Sequence, residues 1–205
     1  MQRPAASSEQ PARALRADAR RNRELVLRAA ITAFATEGTS VSVAEIARRA
    51  GVGTGTVSRH FPTKEALFGA IVHERAEQLV RRARELHERL APIDAFFEFF
   101  TVLVAEGSTD RGLAEALANA GFDVEAAASA AAYDFGTALA DLLDGAQTAG
   151  GVRPEITVAD IKALLEGCLA RERFGVDSEA RGRLIGIIRR GLRPDPRMPR
   201  PARPK

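Results

Sequence analysis

SVAEIARRAGVGTGTVSRHFPTK, residues 42–64, carries the reading of this chain. Ser42 followed by Glu45 has the form of a capping box. The hydroxyl accepts from the Glu45 N–H, and the carboxylate is expected to reach back to Ser42. Val41 before the cap and Ile46 after it form a hydrophobic staple, so a helix starts at Val43. Gly51 then supplies a position that tolerates positive φ. Ile46, Ala47, Ala50, Val52 and Val57 are apolar at the spacing two short crossing helices need. Ala47 is small enough for a close approach.

The next segment, Thr54 to His60, is polar over most of its surface. Only Val57 and Phe61, at i and i+4, can face inward. A two-turn helix with two anchors is not stable alone. Its outer face carries Thr54, Thr56, Ser58, Arg59 and His60. These are donors suited to phosphates and base edges, with no carboxylate among them. Gly53 and Gly55 are poor helix formers that leave room for a groove. Pro62 blocks continuation, Thr63 caps, and Lys64 opens a new helix beside exposed N–H groups, an arrangement suited to phosphate. A plain helical hairpin without a nucleic-acid role has the same local pattern. A nucleotide loop does not fit, because Gly51–Gly55 lacks a preceding strand and a Gly-Lys-Ser/Thr.

Outward from this cassette the chain reads as helices throughout, about nine of them, so an all-α fold is expected. No run of alternating β-branched and polar residues appears. The first helix runs near Asp18–Glu37, with Val26, Ala29, Ala30, Ala33 and Phe34 on one face and Gly38 as its C-cap. A long helix follows from Lys64 to about Leu90. Further segments lie near Pro92–Glu106, Asp110–Ala120, Val124–Ala149, Val158–Arg173 and Ser178–Leu192. The expected domains are a flexible basic arm (1–17), a DNA-binding head (18–64), a body (65–192) and a disordered tail (193–205). The tail has five prolines in thirteen residues.

The net charge of +3 is unevenly spread. Residues 1–64 carry 11 Lys/Arg against 5 Asp/Glu, residues 65–188 carry 12 against 21, and residues 189–205 carry 7 against 1. A basic head on an acidic body points to a polyanion met at one end, although many basic tails are merely solvated. No apolar run reaches the ~18 residues that cross a bilayer, and the start lacks a signal-peptide core. A cytoplasmic location is expected. Cys168, the single cysteine, sits in a helical apolar pattern; a buried small hydrophobe and a reactive thiol are the two readings.

VLRAAITAFATEG (26–38), SVAEIARRAGVGTGTVSRHF (42–61) and PTKEALF (62–68) together resemble the TetR family of one-component bacterial transcription regulators, over about Asn22–Gln78. The resemblance implies a three-helix head, a regulatory and dimerisation body of about six helices, a homodimer and usually a small-molecule inducer. By position it implies that Thr54, Thr56 and Arg59 face the major groove. Ser42, His60 and Lys64 take the places of backbone contacts. Ser58 departs from the family, which commonly has an aromatic there. The arginines at 13, 16, 20, 21 and 23 are either further phosphate or minor-groove contacts or a solvated arm.

The stretch from Ala138 to Gln147, then Gly150-Gly151-Val152-Arg153-Pro154 and Thr157–Ile161, resembles the SbtR-like C-terminal domain of that family. It names no inducer. Phe96, Phe97, Phe99 and Phe100 surround one helix. Ordinary core is one reading; the other has Phe96, Phe97, Phe100, Leu103 and Tyr133 lining a pocket for a small apolar ligand. The apolar residues of 158–173 and 178–192 are expected to pack against a second copy, which would set the two reading helices roughly 34–36 Å apart on a near-palindromic duplex.

A repressor with an unknown effector and no cofactor is thus expected, with an activator or an architectural DNA-coating protein as alternatives. A helical enzyme with a DNA-binding head would need a catalytic cluster. His73 and His87 are fourteen apart with no Cys or paired His nearby, and no nucleophile–base motif appears.

Overall fold

The first helix, α1, spans Glu9–Glu37, about two turns longer at its start than periodicity predicts. Its early residues are mostly Ala and Arg, which favour helix. Pro11 falls in the first turn, where a missing N–H breaks no intrahelical bond. The second half of the expected arm is therefore helical. This computed structural model describes residues 9–172 and 177–194, and the side chains of all of these except 9–16, 108, 109, 128–133 and 172.

α1 is followed by α2 (Val43–Ala50), α3 (Thr54–His60), α4 (Lys64–Arg89), α5 (Pro92–Asn119), α6 (Val124–Thr148), α7 (Val158–Glu172) and α8 (Ser178–Leu192). The described residues contain no strand. Among the described residues, the segments expected at Pro92–Glu106 and Asp110–Ala120 join into the single helix α5. The Gly107-Ser108-Thr109 link contains no proline, so nothing forces a break. Gly107 has a packing reason instead: a Cβ there would lie 2.4 Å from Leu169 Cδ2 on α7.

Two compact units form. The first takes the chain up to Glu74 together with Gly112–Ala127; the second takes Arg75–Arg111 and the chain from Ala128 on. The first unit is thus larger than the expected 18–64 head. Its core joins Val26, Leu27, Ala30 and Phe34 of α1, Ile46 and Ala47 of α2, Val57 of α3 and Phe61, and Leu67, Phe68 and Ile71 of α4. Leu113 and Leu117 of α5 belong to it too, and Phe122 packs edge-on against Phe68 at 5.6 Å between ring centres. Periodicity along the chain cannot reveal such a join between distant segments.

The second unit's core is centred on α5. Phe96, Phe97, Phe99, Phe100 and Leu103 are all buried in it, with Leu139, Leu142 and Leu143 of α6, and Ile161 and Cys168 of α7. Arg75 on α4 ties to α5 through Asp110 at 2.7 Å and Glu106 at 3.0 Å. Arg189 on α8 lies 4.9 Å from the Phe97 ring centre and 3.0 Å from Asp94.

Candidate nucleic-acid interface

The site is built by short-range capping and turn rules and by long-range ties between side chains, all in the first unit. Ser42 is the N-cap of α2, with extended backbone, and its Oγ accepts from Glu45 N at 3.2 Å. The return half of the expected capping box does not form. The Glu45 carboxylate instead accepts from Arg48 Nε at 2.7 Å and Arg49 Nε at 2.7 Å. A charged guanidinium outcompetes a neutral backbone N–H for a carboxylate. Those bonds, Arg48 first and then Arg49, draw the Glu45 pKa from 4.5 down to about 2. Arg49 also bonds Glu37 at the end of α1, and this bond holds the Glu37 pKa below its usual value. Arg49 thus pins α2 onto α1.

Gly51 ends α2 in the left-handed region, at φ 68°, as expected. The turn closes with Val52 N donating to Ala47 O at 3.0 Å. α3 then starts at a bare glycine cap, Gly53, with no side-chain bond to its N–H groups. Val57 is fully buried and Phe61 nearly so. Arg23 of α1 lies over the Phe61 ring at 5.6 Å, a brace that pattern reading missed. The signal for it was only an arginine among several on one polar stretch.

With Val57 and Phe61 turned inward, Thr54, Ser58 and Arg59 are exposed and Thr56 and His60 half-exposed. Ser42 and Lys64 are exposed as well. Thr63 Oγ1 accepts from Ala66 N at 3.1 Å and so caps α4. Lys64 is not extended outward: its Nζ bonds the Thr39 carbonyl and lies 5.8 Å from the Phe68 ring centre. α3 therefore offers hydroxyls, an imidazole and a guanidinium on one face, without a carboxylate, on a rigid two-point mount. Such a face pairs with base edges and phosphates.

The expected ligand-pocket residues Phe96, Phe97, Phe100 and Leu103 lie in the packed core of the second unit. The side chain of Tyr133 lies outside the described residues. A cleft of about 470 Å³ opens elsewhere in that unit, between α4 and α6. Its lining includes His87, Glu88, Asp134, Asp141 and Leu142, more polar than the apolar pocket expected. Among the described residues no group of three or more His, Cys, Asp or Glu is placed to hold a metal ion. No helix among them is long and apolar enough to cross a membrane.

Residues 26–71 match the bacterial regulatory proteins of the tetR family, and residues 91–194 match the SbtR-like transcriptional regulator C-terminal domain. The crystal structure of the TetR transcription regulatory protein from Mycobacterium vanbaalenii is 45% identical, covering 87% of this chain and 99% of its own, with a TM-score of 0.76. The TetR transcriptional regulator SCO0520 from Streptomyces coelicolor is 32% identical over 84% of this chain and 98% of its own, with a TM-score of 0.73. No curated protein matches the chain. The chain belongs to the TetR family of DNA-binding transcription regulators, with a C-terminal domain of the SbtR-like kind.

Proposed function

We propose that the protein is a ligand-responsive homodimeric repressor that binds a near-palindromic operator. The observation that carries this reading is the outward face of α3. Arg59, Thr54 and Thr56 are the base-reading side chains. Ser42, Ser58, His60 and Lys64 contact the DNA backbone, Lys64 by leaving the Thr39 carbonyl. Dimerisation through α7 and α8 is supported by their incomplete burial. Ile187 is 57% exposed, and Leu164, Leu165, Leu184, Ile185 and Ile188 are only partly covered. A contiguous run of incompletely covered apolar side chains on neighbouring helices is the kind of surface that another surface covers.

A small molecule bound in the second unit would act by favouring a dimer whose heads no longer match the operator spacing. A ligand with equal affinity for both arrangements would change nothing. The test is footprinting of the purified chain on the DNA upstream of its own gene. The expected result is two protected half-sites about one helical turn apart. Binding that depends steeply on salt but not on sequence would point instead to an architectural protein.

A further inference from the structure

Gly55 is the second residue of α3 and is exposed. Its backbone is not in the left-handed region; the glycines that are number 38, 51, 121 and 150. A Cβ added at 55 would meet no heavy atom within 4 Å. At Gly107 and Gly151, by contrast, an added Cβ would fall 2.4 Å from Leu169 and Ile93, whereas Gly112, Gly136, Gly167, Gly182 and Gly191 are as open as Gly55 but lie outside α3. At Gly55 neither conformation nor packing asks for it. Yet glycine loses more backbone freedom in a helix than any other residue. α3 has only seven residues and two inward anchors, so it can least tolerate that loss. The fold is weakened by a residue it does not use.

The position explains where the use lies. At about 100° per residue, 55 is on the opposite side of α3 from Val57. It shares its outermost stripe with Arg59, one turn further on. Helical side chains lean toward the N-terminus, so Arg59 projects over the turn that contains Gly55. Arg59 has no ion pair among the described residues. Any side chain at 55 would stand between the helix and whatever Arg59 reaches.

We propose that Gly55 is where the α3 backbone comes into van der Waals contact with the wall of the DNA major groove, setting the depth at which Arg59 meets a base edge. The inference rests on the base-reading role assigned to α3. Titration of the full chain on its labelled operator duplex and on random duplex tests it, comparing wild type, Gly55→Ala, Gly55→Ser and Gly112→Ala. Gly112 is an exposed glycine of α5 with equally open space, and serves as the control. Gly55→Ala should raise the unfolding midpoint by about 2–4 °C, since alanine favours the helix. It should also lower operator affinity at least about tenfold, with Gly55→Ser similar, and reduce the preference over random duplex. Gly112→Ala should leave affinity within about twofold of wild type. Operator affinity of Gly55→Ala within twofold of wild type would overturn the proposal. So would a lowered unfolding midpoint, which would assign the glycine to the fold. A wild-type chain with no preference for any duplex would instead remove the base-reading role itself, and this inference with it.

Discussion

Arg49 Nη2 lies 2.9 Å from Glu37 Oε2, joining α2 to the end of α1 across twelve residues. The same guanidinium bonds Glu45 within its own helix. One side chain thus adds a tie between α1 and α2, against which α3 is set, to the packing of Ile46 and Ala47 on α1. Arg49→Ala should lower the urea midpoint of unfolding and weaken operator binding more than Arg48→Ala. Among the described residues the Arg48 side chain bonds only Glu45, and it is 73% exposed. Equal effects from the two substitutions would show that the brace to Glu37 does not matter.

The same network predicts a pH dependence. The folded-state pKa of Glu45 is about 2, below its ordinary 4.5, so folding favours the charged form. Its stabilisation is fully present above about pH 4.5 and is lost as pH falls toward 2. Glu45→Gln should therefore be less stable than wild type near neutrality, and the gap should close on acidification. Chemical denaturation of both proteins at several pH values measures it. A constant gap from about pH 6 to about pH 3 would contradict the assignment.

Phe61, at the end of α3, is the second of its two inward anchors. It is 6% exposed and lies beneath Arg23. Phe61→Ala should destabilise the first unit by about 3 kcal/mol. DNA binding should fall at temperatures where the rest of the chain stays helical by circular dichroism. Unchanged thermal stability would mean that Val57 alone holds α3.

Much of this site could be read from residue order because its rules are local. Ser42, Gly51 and Thr63 act within a few residues of themselves, Val57 and Phe61 mark the inward side by their one-turn spacing, and α2 and α3 begin and end where those residues say. The misreadings involve competition or distance. Glu45 was expected to close on Ser42 and instead closes on two arginines, a contest between neighbours that a motif does not rank. The need for glycine at 107 within α5 comes from Leu169, about sixty residues away. The Arg23–Phe61 and Lys64–Thr39 contacts link residues whose separation carries no periodic signal.

Ile187 offers a direct check of assembly. Ile187→Glu on α8 places a charge on the exposed apolar face without disturbing the buried core. Sedimentation velocity should show a shift from dimer to monomer at micromolar concentration, with helix content retained. Operator affinity should fall with it, since two linked heads bind far more tightly than one. A variant that stays dimeric would move the interface away from this face.

Gly151 tests the second unit. A methyl group there would overlap three atoms of Ile93, at 2.4, 2.7 and 2.7 Å. Gly151→Ala should cost about 1–3 kcal/mol. Gly167→Ala on α7, where nothing lies within 4 Å, should be neutral or mildly stabilising. Differential scanning calorimetry distinguishes the two.

Leu113, Leu117 and Phe122 complete the core around Phe68, though they come from α5 and the turn between α5 and α6. The DNA-reading portion is therefore not a detachable module. A chimera spliced after α4 would carry every residue proposed to face DNA, yet would leave one edge of Phe68 bare to water. Swapping operator specificity between regulators of this kind would need two grafts, one at each end of that shared core, or a change confined to the outer face of α3.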